Sequence, residues 1–223
     1  MKHLRRFNLK VPNGEKTLAS KLHYPDGLRV VLFASGRGSN AQVLMELSKK
    51  LTNFHIVAVA TDHSNAPVVH KANEYGIDVI INEKVKGQSK LEYEALWVEK
   101  LSELSHHMGL LCGYMKILGP TFLNYYWCSN QSIYKLINIH PSLLPAYPGL
   151  DAYRRAFENR DSISGVTLHL VDEEVDSGAI LMQESFERVD DEAFESFEQR
   201  GLKLEHILFP KLIQKILTEG VEI

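Results

Sequence analysis

Arg29-Val30-Val31-Leu32-Phe33-Ala34 is an apolar run that passes, with no linker, into Ser35-Gly36-Arg37-Gly38-Ser39-Asn40 and then into a helix-forming stretch through Leu47. A nearly continuous apolar run reads as a strand buried on both faces, as strands of parallel sheets are. A glycine turn opening directly into a helix makes a β–α unit, and strands linked in this way lie parallel with helices over their faces. The unit recurs. Ile56 to Ala60 is followed by a helix from about Ala66 to Tyr75, with Gly76 as its stop. Asp78 to Ile81 precedes a helix from about Lys90 to Leu104, with Leu91, Ala95, Val98, Leu101 and Leu104 on one stripe. Gly109 to Gly113 makes a fourth strand and Leu136 to His140 a fifth. From Gly165 the pattern changes to two strands, Val166 to Val171 and Ile180 to Phe186, joined by an acidic loop. A last helix begins near Asp191 and carries Phe194, Phe197, Leu204, Ile207 and Leu208, and Pro210 is expected to kink or restart it.

The expected fold is α/β and Rossmann-like: a mostly parallel central sheet with helices on both faces and a C-terminal antiparallel extension. At 223 residues the chain has length for one packed domain or two tightly joined halves. A net charge of −3 argues against nucleic acid as a partner, which would call for a basic surplus. No apolar run approaches the roughly 20 residues that span a bilayer, so no membrane partner is expected. Cys112 and Cys128 match no metal or redox spacing and read as reduced thiols of a cytoplasmic protein. Residues 1–27 stand apart. Lys2, Arg5, Arg6 and Lys10 make the start basic, without the apolar core of a secretory signal, and Glu15 and Asp26 disfavour a transit peptide. This segment reads as an arm packed on its own domain or on a neighbouring subunit, which leaves a homodimer open.

Two places carry chemistry. In the turn Gly36-Arg37-Gly38-Ser39-Asn40, backbone amides and a helix N-terminus would face an anion, so a phosphate site is the natural reading. The same turn fits a G-x-G-x-x-A dinucleotide fingerprint, with Asp62 where a ribose-binding acid belongs, and a nicotinamide enzyme is therefore a rival. In Leu136-Ile137-Asn138-Ile139-His140-Pro141, alternation puts Asn138 and His140 on one face of a strand. Pro141 keeps His140 extended, at the carboxyl end where open parallel sheets bind ligands. The alternative is a core Asn–His pair that satisfies its own hydrogen bonds.

The string N-I-H-P-S-L-L-P-A-Y-P-G-L (138–150), with S-G-R-G-S-N (35–40) and the D-E-E-V-D-S-G loop (172–178), resembles the folate-dependent formyltransferases, above all those that formylate glycinamide ribonucleotide in purine biosynthesis. The resemblance covers residues 28 to about 217. It implies 10-formyltetrahydrofolate as co-substrate, small-molecule substrates and no metal. It implies one domain over 28–223, with a ribonucleotide-phosphate half at 28–135 and a catalytic and folate-binding half at 136–223. Gly36, Arg37, Gly38, Ser39 and Asn40 correspond to the loop for the ribonucleotide phosphate, Ser39 and Asn40 adding side-chain donors, and Glu205 to a carboxylate on the ribonucleotide. Met115, Lys116, Ile117 and Leu118 correspond to the segment lining the folate pocket. Lys116 and Lys90 stand where relatives usually have Arg, and a Lys that only meets solvent is the alternative. Asp172, Glu173, Glu174 and Val175 belong to the folate-side loop, and His169 matches a position near the site.

Asn138, His140 and Asp176 correspond to the catalytic residues. The chemistry implied is attack of the glycinamide amine on the formyl carbon, with Asn138 and a protonated His140 as donors to the developing oxyanion. Asp176 would keep His140 charged and help relay the proton. A formyltetrahydrofolate deformylase shares this trio but usually carries an N-terminal regulatory domain that 27 residues cannot hold.

Overall fold

A computed structural model describes residues 21–223; the basic start of the arm lies outside them. The strands are β1 (Lys21–Leu22), β2 (Leu28–Phe33), β3 (Phe54–Thr61), β4 (Val79–Ile81), β5 (Met108–Leu111), β6 (Trp127–Cys128), β7 (Ile133–Tyr134), β8 (Leu136–His140), β9 (Ile163–Leu170), β10 (Ile180–Glu187) and β11 (Val221–Glu222). The helices are α1 (Ser39–Ser48), α2 (Pro67–Glu74), α3 (Lys90–Ser102), α4 (Pro120–Tyr125), α5 (Ala152–Glu158) and α6 (Phe194–Thr218). Seven strands form the central sheet in the order β10-β9-β8-β5-β2-β3-β4. β8, β5, β2, β3 and β4 pair in parallel, while β9 and β10 add antiparallel. This is the mixed α/β sheet expected.

Apolar clusters cover both faces of the sheet. One holds Leu32, Leu44, Met45, Leu110, Ile137 and the inward side of α6. The other is aromatic: Phe33 meets Trp97, Tyr114, Phe122 and Tyr126 edge-on, with centroids 5.5–6.3 Å apart. That cluster corrects the stripe expected on α3, whose buried residues are Tyr93, Glu94, Trp97 and Leu101, whereas Leu91 and Ala95 face solvent. Two aromatic rings bury more area than the aliphatic residues and set the rotation of the helix.

Helix α6 starts at Phe194, and Pro210 does not end it. The missing Pro210 amide costs about 3 kcal/mol. Burial of Phe197, Leu208 and Phe209 before it and Leu212, Ile213 and Ile216 after it offsets that at about 1.5–3 kcal/mol per side chain. Ile207, expected on the buried face, is exposed. The last part of the arm is docked on the domain: β1 pairs with β11, and the Tyr24 amide donates to the Ile216 carbonyl at 3.2 Å.

Candidate active site

The chain builds β2, β3 and β4 outward in one direction, then crosses back to place β5 on the other side of β2. Loops leaving β2 and β5 therefore diverge and open a crevice at the carboxyl ends, where such sheets take ligands. The two loops are tied at their base: Ser35 N donates to the Gly113 carbonyl (3.1 Å) and Met115 N to Ser35 Oγ (2.9 Å). β5 pairs with β8 only as far as Leu111 opposite Asn138. Ile139 and His140 run on beyond that pairing beside β9 alone, which puts Asn138 and His140 at the edge of the crevice.

Asp176 joins them. Its Oδ1 accepts from Asn138 Nδ2 at 3.2 Å, and its Oδ2 lies 3.2 Å from His140 Nδ1. The Gly149 amide donates to the same Oδ2 at 2.8 Å, and His140 Nε2 meets the Tyr147 carbonyl at 2.8 Å. Tyr147, Gly149 and Asp176 all have positive φ, at 53°, 80° and 54°. For Tyr147 this backbone is costly and persists only where surroundings enforce it; here it turns a carbonyl and an amide onto the two titratable groups. Thr167 pins the preceding loop from below, donating to the Ser142 carbonyl (2.7 Å) and accepting from Leu144 N (3.1 Å). Tyr147 and Gly149 act through backbone groups and were not singled out from the sequence; the Y-P-G turn was the signal available.

Since a carbonyl only accepts, Nε2 carries the proton of neutral His140, and Nδ1 keeps a lone pair beside Asp176. Burial is the main influence on His140 and holds it below the ordinary histidine value; the Tyr147 carbonyl and Asp176 pull upward without overcoming it, and His169 and Arg155 add to the depression. Burial pushes Asp176 upward, but its contacts with His169, the Gly149 amide and His140 outweigh that, so its carboxyl stays below the usual range. His169 belongs to the cluster: Nδ1 donates to the Leu170 carbonyl (2.7 Å), leaving Nε2 to accept from Asn138 Nδ2 (3.2 Å). Both Asn138 amide hydrogens are thus occupied.

Across the crevice, Gly38 adopts φ 62°, and a Cβ there would lie 2.4 Å from Val68, so the turn needs glycine. No side chain caps α1, and Gly36 and Arg37 just before it are exposed. Asn40 departs from expectation. It is buried, and its Nδ2 donates to Glu205 Oε2 at 2.5 Å, while its Oδ1 has no partner. The amide expected to reach an anion is turned to the carboxylate instead, and Ser39 remains half-buried at the turn.

Met115 and Ile117 are exposed apolar side chains on the loop after β5, with Leu118 half-buried beside them. Neither lysine merely meets solvent. Lys116 Nζ stands 3.5 Å from Oδ2 of Asp62, a carboxylate that is buried with no hydrogen bond to either oxygen. Lys90 pairs with buried Glu94 at 3.8 Å, and both abut Gly119 at the end of that loop. Removing Lys116 would leave the buried Asp62 charge with His63 alone, at 3.4 Å. Lys116→Met is therefore expected to lower the unfolding free energy by about 1–3 kcal/mol, and Asp62→Asn added to it should recover part; denaturant melts of the three variants measure both.

In the acidic loop, Asp172, Glu173, Glu174 and Val175 are exposed, with Glu173 accepting from the Tyr134 hydroxyl at 3.0 Å. Among the described residues no group of three or more His, Cys, Asp or Glu could hold a metal ion.

The family described as formyl transferase matches residues 28–213. Phosphoribosylglycinamide formyltransferase of Bacillus subtilis is 34% identical over 190 residues, 85% of this chain and 94% of that protein. The trifunctional purine biosynthetic protein adenosine-3 of Gallus gallus is 32% identical over 197 residues, which are 88% of this chain and 19% of that protein. The crystal structure of phosphoribosylglycinamide formyltransferase from Streptococcus pneumoniae superposes with a TM-score of 0.77 at 36% identity, covering 86% of this chain and 99% of that one. The enzyme of the same name from Bacillus halodurans gives 0.78 at 35% identity, covering 86% and 96%. With the trio, the glycine turn and the fold in place, the chain belongs to the formyl transferase family.

Proposed function

We propose that this chain transfers the formyl group of 10-formyltetrahydrofolate to the amine of glycinamide ribonucleotide, a step of purine biosynthesis. The observation that carries the reading is Asp176, one carboxylate holding Asn138 by one oxygen and His140 and Gly149 by the other at the crevice edge. The formyl donor, when bound, supplies an electrophilic carbon. Met115, Ile117 and Leu118 after β5 and residues 172–175 after β9 would receive it, since exposed apolar side chains suit a flat ring. The uncapped start of α1 and Gly36 to Asn40 take the phosphate monoester, and Glu205 holds Asn40 for the ribonucleotide.

His140 rests neutral and takes the proton of the attacking amine at Nδ1. That step turns a lone pair facing a carboxylate into an ion pair, so Asp176 favours it. The proton then passes to the departing nitrogen. Asn138 releases His169 and donates to the formyl oxygen as negative charge develops there. The reading implies small-molecule partners in the cytoplasm, without nucleic acid or membrane, and a homodimer is compatible with it. Among the described residues no helix is long and apolar enough to cross a membrane.

Mixing the protein with 10-formyltetrahydrofolate and following folate absorbance tests the reading. Turnover is expected only when glycinamide ribonucleotide is added. Equal release in its absence would identify a deformylase, and binding of NAD with no folate binding would restore the dinucleotide reading of the glycine turn.

A further inference from the structure

Gly201 is buried inside α6, where alanine would be the better helix former. The reason lies across the groove: a Cβ at Gly201 would sit 2.3 Å from Cζ and 2.4 Å from the hydroxyl oxygen of Tyr153. The missing side chain is the space that the Tyr153 ring enters from α5, with its edge against Phe197 at 6.3 Å. The ring delivers its hydroxyl 2.7 Å from Glu205 Oε1, while Glu205 Oε2 accepts from Asn40 Nδ2 at 2.5 Å. All three side chains are buried, so a chain of hydrogen bonds runs from α5 through α6 to the first turn of α1. Burial raises the Tyr153 hydroxyl far above the ordinary tyrosine value, so it stays a donor. At the far end Asn40 lies buried in the first turn of α1, directly after the glycine turn.

We propose that Tyr153 is a positioning residue of the ribonucleotide half-site, fixing Glu205 so that Asn40 turns its amide inward and the first turn of α1 is held in place for the bound nucleotide. The proposal rests on the reading that this turn takes the ribonucleotide. Tyr153 touches no substrate and acts through Glu205. The other groups that face Glu205 are Glu198 on its own helix and Cys112 after β5. Burial raises the Glu205 carboxyl above the ordinary value, the Asn40 and Tyr153 hydrogen bonds oppose that, and Glu198 adds to it. Loss of the Tyr153 hydroxyl removes one stabiliser of the ionised form, so Glu205 would protonate at higher pH.

Tyr153→Phe in the full chain keeps the ring that fills the Gly201 space. It is expected to raise KM for glycinamide ribonucleotide roughly tenfold, the scale of one hydrogen bond to a charged group. KM for the formyl donor and kcat should stay within about twofold, and the acidic limb of kcat/KM for the ribonucleotide should move to higher pH. In a Glu205→Gln background the same substitution should have little further effect, since the charge it serves is gone. Gly201→Ala, which displaces the ring while keeping the hydroxyl, should give the same split of KM values. An unchanged ribonucleotide KM, an equal rise for both substrates, or full additivity with Glu205→Gln would overturn the proposal. A parent protein with no ribonucleotide-dependent turnover would instead overturn the function proposed above; parent activity with an unchanged Tyr153→Phe refutes only the role of Tyr153.

Discussion

His140→Ala is expected to lose about 10²–10⁴-fold in kcat, the share that a positioned acid–base group supplies. The size follows from what no neighbour can replace. His140 Nδ1 is the nearer of two histidine nitrogens to Asp176, at 3.2 Å against 3.5 Å for His169 Nε2, so a proton gained there enters the closer ion pair. His169 is close, but its Nδ1 is committed to a carbonyl and its Nε2 to Asn138. The variant should fold, because Asp176 keeps the Asn138 amide and the Gly149 backbone as partners. Steady-state kcat, a thermal melt and the pH–rate profile together make the test. The limb set by His140 should vanish from the profile. A loss below tenfold with the limb intact would hand the proton transfer to another group, with His169 first in line.

Much of this site was legible before any coordinates. Alternation along Leu136 to His140 put Asn138 and His140 on one face, and the β–α order put that strand's end at a crevice. The glycine turn at Gly36 to Asn40 was legible from its place between a strand and a helix, with its ligand left open between a phosphate monoester and a dinucleotide. Pairing of distant side chains was not legible. Glu205 lies 165 positions from Asn40, and no local pattern says that an α6 carboxylate will consume the Asn40 amide. Lys116 against Asp62 failed for the same reason, since one residue looked like a solvated loop lysine and the other like the acid of a dinucleotide site. The α3 stripe differs for another reason: the aliphatic spacing does not show that Trp97 has Phe33 to pack on and Tyr93 has Trp97. For His140 a neighbouring acid is visible in sequence motifs, whereas the burial that opposes its charge is not.

Asp176→Asn is expected to lower kcat by at least about 10²-fold while both substrates still bind. The substitution keeps the shape but halves the acceptors. Asp176 receives Asn138 on one oxygen and Gly149 on the other, and an amide can serve only one of them. It also removes the charge that makes proton uptake at His140 Nδ1 favourable. Since burial already holds His140 below its ordinary value and Asp176 is among the influences raising it, the variant's ring should titrate at still lower pH. NMR titration of the His140 ring in both proteins reads this directly, beside their pH–rate profiles. A second readout has a fixed sign. The folded Asp176 carboxyl is held below its ordinary value, so its ionisation contributes stability that is present above the unfolded-state value and lost as pH falls through the folded one. The stability advantage of the parent over Asp176→Asn should therefore be full at neutral pH and shrink on acidification below the ordinary carboxylate range. Identical His140 titration in the two proteins would mean that the groups are uncoupled. Asp176 would then be a turn residue of the acidic loop, and the proton would have to reach the leaving nitrogen without it.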